Sequence, residues 1–163
     1  MKFIHVQSNS PLVISIPHSG TDIPQDIDSL CNLAAKREHT DWALPELVAP
    51  LLETILVATV SRYIVDVNRF KPRTGKATQP IIPRIDENGN QLFNNYPSKQ
   101  KQVDWLERYY VPYYLHLEKL LNEKLERHER VLLVDLHSYD DTLFRTSDII
   151  IGTRRKQTIS EEL

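Results

Sequence analysis

Leu12-Val13-Ile14-Ser15-Ile16 runs straight into Pro17-His18-Ser19-Gly20, and Val131-Leu132-Leu133-Val134-Asp135-Leu136 runs straight into His137-Ser138. These two stretches decide the fold. Each is a short, continuous apolar run that lacks the polar alternation of a half-exposed strand and stops at turn-forming or polar residues. Strands of this kind are buried on both faces, as in parallel sheets covered by helices. Ile55-Leu56-Val57-Ala58-Thr59-Val60 and Ile149-Ile150-Ile151-Gly152 read the same way, and Tyr63-Ile64-Val65-Asp66-Val67 follows the former as a further β-run.

The intervening segments supply the helices. Leu30 to Lys36 predicts a short one, and Thr40 or Asp41 is placed to cap a second that contains Glu46 and Leu47 and is disturbed by Pro50. Leu106, Tyr109, Tyr110, Tyr113, Leu117, Leu120, Leu121 and Leu125 recur at three- and four-residue steps. That spacing predicts a long amphipathic helix over Gln102 to His128, kinked or divided at Pro112. Phe70 to Tyr96 contains Pro72, Pro80, Pro83 and an Asn88-Gly89 turn signal, and reads as a long irregular excursion. The pattern is that of an α/β domain with a mainly parallel sheet, whose sites lie at the carboxyl ends of the strands.

Composition narrows the function. With 163 residues the chain is one domain at about 150 residues per domain. Twenty basic residues against 22 acidic ones give a net charge of −2. That balance argues against binding nucleic acid through phosphates. The longest stretch without charge, Phe3 to Thr21, is broken by Gln7, Ser8, Asn9, Ser10 and Pro11, so no membrane span or signal peptide is expected and the cytoplasm is the default location. The single cysteine, Cys31, excludes an internal disulfide and a Cys-rich zinc site. Only 4 glycines are present and no glycine-rich phosphate loop occurs.

Two histidines, His18 and His137, fall at equivalent strand ends, which converge in a parallel sheet. Each could merely cap its strand by bonding to backbone; together they offer two neutral imidazoles to a catalytic metal, which takes a third protein ligand and keeps one position open. Asp22, Asp41, Asp66 and Asp135 are the carboxylates that could complete such a set, although Asp41 could serve as a helix cap, Asp22 as a turn residue and Asp135 as an orienting partner of a ligand. Asp66-Val67-Asn68-Arg69 closes a β-run with an amide and a guanidinium suited to a carboxylate, and Arg62 adds a cation nearby. His116 and His39 read as solvated, the tyrosines at 109, 110, 113 and 114 as a core face, and Ser19 and Ser138 lack the elbow motif of a serine nucleophile.

Pro17-His18-Ser19-Gly20, Thr40-Asp41-Trp42, Ser61-Arg62-Tyr63-Ile64-Val65-Asp66-Val67-Asn68-Arg69 and Val134-Asp135-Leu136-His137-Ser138, in this order, resemble the N-formylglutamate amidohydrolase (deformylase) family, within the zinc carboxypeptidase-like hydrolases. The resemblance runs from about Pro11 to Gly152. It implies a three-layer α/β/α fold on a mixed, mainly parallel sheet, phosphorylase/hydrolase-like as in zinc exopeptidases. It implies one zinc held by His18, His137 and Asp41, with Asp22 as the alternative carboxylate. Asn68 and Arg69 would hold the substrate carboxylate, and Arg62 would polarise the scissile carbonyl or hold a second carboxylate. Ser138-Tyr139 follows His137 as in the carboxypeptidases' His-Ser-Tyr.

The activity so implied is hydrolysis of a small-molecule N-acyl amino acid, N-formyl-L-glutamate, to formate and L-glutamate in histidine degradation. The other readings are an amidohydrolase for a different N-acyl amino acid and an inactive relative that only binds metal and carboxylate ligands. The family differs at Tyr114 and Ala43, where it tends to carry histidine, and in its length of roughly 250 residues or more. On this reading residues 1–163 are one N-formylglutamate amidohydrolase-like domain, incomplete at its C-terminal end. The general-base glutamate would lie further on, and an apolar sheet edge would favour homo-oligomers.

Overall fold

The computed structural model describes residues 8–28, 40–69, 80–139 and 149–152. The apolar run that opens the chain becomes β1 (Leu12–Ile16), the central strand of a three-stranded sheet. It pairs in parallel with β2 (Thr54–Val57) on one side and with β3 (Leu132–Asp135) on the other, in register Ile14↔Ile55 and Ile14↔Val134. All three described strands are parallel, where a mixed sheet is implied by the resemblance. The continuous apolar pattern of β1 has its cause in this position, since Val13, Ile14 and Ile16 are all buried.

Helices cover both faces, which makes the architecture α/β. α1 (Gln25–Asp28) and α2 (Leu44–Val48) lie between β1 and β2 in the chain, and α3 (Lys99–Trp105) and α4 (Val111–Leu125) between β2 and β3. Ile14, Ile16, Ile55 and Val57 pack against Leu44 and Val48 of α2. On the opposite face, Val13 and Leu56 join Trp105, Tyr110, Tyr113, Leu117 and Leu120 in the larger core. The one polar residue of β1, Ser15, is buried and shares a hydrogen bond of 2.7 Å with the Tyr113 hydroxyl, which answers the need of both buried groups for a partner.

The long helix forms where the three- and four-residue spacing places it, but it begins earlier, at a cap on Ser98 whose hydroxyl accepts from the Lys101 amide. It also widens into a π turn over Leu106–Tyr110, directly before Pro112. Proline has no N–H to give and its ring crowds the carbonyl four residues back; a wide turn just upstream absorbs both defects without ending the helix. The loop that follows residue 80 turns at Asn88-Gly89 as the sequence signals, with Gly89 at φ 84°. Buried Asp86 holds that turn by accepting the backbone amides of Asn88 and Asn90 at 2.9 and 2.7 Å.

Four expectations are corrected. Tyr63–Val67 is deeply buried but is a pair of turns, not a strand: the Ile64 amide donates to the Ser61 carbonyl at 2.9 Å and that of Asp66 to Ile81 at 2.8 Å. Thr40 and Asp41 do not cap α2, which starts after Ala43 in a left-handed conformation, and Pro50 falls in a short 3₁₀ turn, Ala49–Leu51. β3 is not buried; it is an outer strand of the described sheet, with Leu132 52 % exposed. Ile149 to Gly152 forms no strand and is exposed. The helix expected over residues 30–36 lies outside the described residues. Among those residues no helix is long and apolar enough to cross a membrane.

Gly20 shows how closely the loop after β1 is set. A Cβ there would lie 2.4 Å from the Thr59 carbonyl carbon and 2.5 Å from the carbonyl oxygens of Thr59 and Val60. These are backbone atoms, which cannot rotate away. Gly20→Ala should therefore cost about 1–3 kcal/mol, the usual penalty for overpacking. Urea denaturation measures it, and an unchanged midpoint would contradict the close approach.

Candidate metal centre

Parallel pairing of β1 and β3 brings their carboxyl ends side by side, so His18 and His137, each just past its strand, come together with ring centroids 4.8 Å apart. Asp41 reaches the same point from the segment before α2, because its amide donates to the His18 carbonyl at 3.1 Å and docks that segment on the strand end. His18 Nδ1, Asp41 Oδ2 and His137 Nδ1 face one another: Asp41 Oδ2 is 3.9 Å from the first nitrogen and 3.1 Å from the second. The three ligand atoms lie within 4.8 Å of one another. His18 and Asp41 are buried and His137 is half-buried.

Each of these side chains is held from behind. His18 Nε2 meets Asp66 Oδ1 at 2.8 Å, the carboxylate–imidazole arrangement that fixes which nitrogen faces inward. The Asn68 amide sits 3.3 Å from His137 Nε2. The Ser138 hydroxyl donates to Asp41 Oδ1 at 3.0 Å, and that of Ser19 donates to the Asp41 carbonyl. Burial favours the neutral form of Asp41, but the hydrogen bonds from His137 and Ser138 and the charge of the two imidazoles outweigh it, and its carboxyl titrates below the ordinary value. Asp66 behaves alike: burial raises it, while His18 and then Arg62 and Arg69 hold it below the usual carboxylate range.

Two imidazole nitrogens and one carboxylate oxygen are a donor set that suits zinc. With Nε2 paired to Asp66, His18 leaves Nδ1 facing Asp41 Oδ2. The residues present fit such an ion.

The remaining residues singled out by the sequence are distributed around this cluster. Arg62 lies between Asp66 Oδ2, at 3.7 Å, and Glu87 Oε1, at 3.4 Å. Arg69 pairs through Nε with Asp66 Oδ2 at 3.1 Å. Asn68 and Arg69 thus sit beside the histidines, Asn68 in contact with one of them. Asp22 is exposed and stands outside the cluster; its backbone bridges to Val60. Asp135 also stands outside the cluster. Asp66 pairs with His18 from behind. Two contacts are not signalled by the sequence: that of the Ser138 hydroxyl with Asp41, and that of Glu87, which nothing but its place beside the Asn88-Gly89 turn distinguishes.

Comparison with known proteins agrees with this arrangement of motifs. Residues 10–163 match the model of the family described as N-formylglutamate amidohydrolase. The chain is 32 % identical over 137 residues to the N-formylglutamate deformylase of Pseudomonas aeruginosa, an alignment covering 78 % of this chain and 52 % of that protein. It superimposes on the crystal structure of N-formylglutamate amidohydrolase from Ralstonia eutropha with a TM-score of 0.64 at 23 % identity, over 88 % of this chain and 60 % of that one. A gene product of Agrobacterium tumefaciens shares the fold at a TM-score of 0.63 and 21 % identity, over 79 % and 52 % of the two chains. The chain thus spans about half the length of the deformylase it matches. With the family model matching nearly its whole length, the chain belongs to the N-formylglutamate amidohydrolase family.

Proposed function

We propose that this chain carries the metal-binding and carboxylate-binding machinery of a zinc-dependent amidohydrolase that cleaves N-formyl-L-glutamate to formate and L-glutamate, a reaction of histidine degradation in the cytoplasm. The observation that carries the reading is the convergence of His18, Asp41 and His137 beside the turn bearing Asn68 and Arg69. In this reading His18, Asp41 and His137 would hold the zinc. When bound, zinc polarises a carbonyl and makes water nucleophilic at neutral pH.

The protein groups supply the rest. Asp66 fixes the His18 ring and, among the described residues, pairs with Arg69 through Nε, and the guanidinium's terminal nitrogens are the groups that would receive a carboxylate. Arg62, between Asp66 and Glu87, is the cation for a second carboxylate or for the scissile carbonyl. The buried environment of Asp41 and Asp66 strengthens each of these electrostatic contacts. Self-association belongs to the same reading, supported by the exposure of Leu132 and Leu133 on an outer strand.

A second reading, a chain that binds zinc and carboxylates without turnover, is favoured by one observation. Among the described residues, the two carboxylates at the cluster, Asp41 and Asp66, are both engaged with histidine, which leaves neither placed as a proton shuttle. An assay of zinc-loaded protein with N-formyl-L-glutamate separates the readings: release of formate supports the first, and zinc binding without release supports the second.

Two outcomes are expected of the site itself. His18→Ala and His137→Ala should each abolish stoichiometric zinc binding, and Asp66→Asn should weaken it about 10- to 100-fold by freeing the His18 ring. Chelator competition measures both, and unchanged affinity in all three variants would remove the cluster as a zinc site. Arg69→Ala should weaken binding of L-glutamate by about 1.5–3 kcal/mol, the worth of a charge-assisted contact. Arg69→Lys should recover little, since an ammonium makes no paired contact. Titration calorimetry reads the difference, and equal affinity in wild type and Arg69→Ala would take Arg69 out of the site.

A further inference from the structure

Among the described residues, the turn that bears Asn68 and Arg69 pairs with no strand, and its backbone carbonyls take other donors. Two of them are met by the long helix. The Tyr114 hydroxyl donates to the Val67 carbonyl at 2.8 Å, and the Tyr110 hydroxyl donates to the Arg69 carbonyl at 2.8 Å. These carbonyls lie on either side of Asn68. From the opposite side, Asp66 accepts the Asn68 amide at 2.9 Å and the Arg69 side chain at 3.1 Å. The turn is therefore clamped between a carboxylate beneath the histidines and two phenols from the helix.

The helix is shaped for this contact. Tyr110 closes the π turn and Tyr114 stands four residues on in α4, so their rings meet at a tilt with centroids 4.7 Å apart and their hydroxyls reach alternate carbonyls of one turn. Packing alone explains the rings, since Tyr110 is buried in the core and Tyr114 packs against it. It does not explain the hydroxyls, which would cost desolvation energy in the same place without a partner. Phenylalanine fills the same volume, and what it lacks is the grip on the turn.

We infer that Tyr110 and Tyr114 are positioning residues, whose hydroxyls set the orientation of Asn68 and Arg69 toward a bound carboxylate. The inference rests on the reading of Asn68 and Arg69 as the carboxylate-binding pair. It assigns to the tyrosine stripe a role in ligand affinity beyond that of a core face.

The test uses the full zinc-loaded chain, with L-glutamate titrated calorimetrically into wild type, Tyr114→Phe, Tyr110→Phe/Tyr114→Phe, Arg69→Ala, and the combination of all three substitutions. Tyr114→Phe, at a half-buried position, keeps the test open if the double variant does not fold. Weakening of about threefold in the single variant and tenfold in the double is expected. In the Arg69→Ala background the tyrosine effect on affinity should shrink, because one of the two groups it positions is gone, while the shift in urea midpoint persists. A purely structural role would move the midpoint equally and leave affinity alone, or would add its effect on affinity undiminished to that of Arg69→Ala; either result overturns the inference. If Arg69→Ala weakens binding and the tyrosine variants do not, the inference alone falls. If wild type does not bind L-glutamate, or Arg69→Ala binds as wild type does, the carboxylate reading falls and takes the inference with it.

Discussion

The carboxylate of Asp41, buried between two imidazoles, is the interaction on which the site depends. A buried carboxylate is stable only with partners, and here they come from two separate places in the chain, His18 after β1 and His137 with Ser138 after β3, while the Asp41 amide docks on the His18 carbonyl. That convergence is possible because β1 is central and β3 pairs with it in parallel, so both strands end at the same edge. The same edge is where parallel α/β sheets place their ligands.

Around this carboxylate the structure is layered by charge. Asp66 stands behind His18 and draws Arg62 and Arg69 to it; Glu87 stands behind Arg62 and also accepts from the Tyr63 hydroxyl at 2.6 Å. Charges alternate outward from the cluster, through Asp66, Arg62 and Glu87 in turn. The helix contributes neutral donors at the far side of the same turn through Tyr110 and Tyr114. A single segment, residues 61–69, thus touches the histidine cluster, the Glu87 loop and the long helix, and its tight turns pack all three against one another.

Much of this was legible in residue order. The apolar run of β1, the strand-end histidines, the core face of the tyrosines and the Asn88-Gly89 turn follow from burial, topology and turn chemistry that act locally. Tyr63–Val67 was misread because a buried turn and a buried strand present the same unbroken apolar residues, and hydrogen bonding across Ser61 and Ile81 decides between them. Asp41 looked equally like a cap or a ligand, since capping and ligation use the same oxygens; the left-handed Ala43 removes it from the helix. Burial of β3 was over-read, because strand pattern does not reveal which edge a neighbour covers. Glu87 and Ser138 acquire meaning only from tertiary neighbours that no spacing announces.

The central claim is that His18, Asp41 and His137 form one metal-binding set. X-ray absorption at the zinc edge, on the chain loaded with one equivalent, tests it most directly. The account predicts a shell of light ligands at about 2.0–2.1 Å with outer scattering from two imidazoles, and loss of that shell in His18→Ala and in His137→Ala. A shell without imidazole scattering, or one left unchanged by both substitutions, would contradict it.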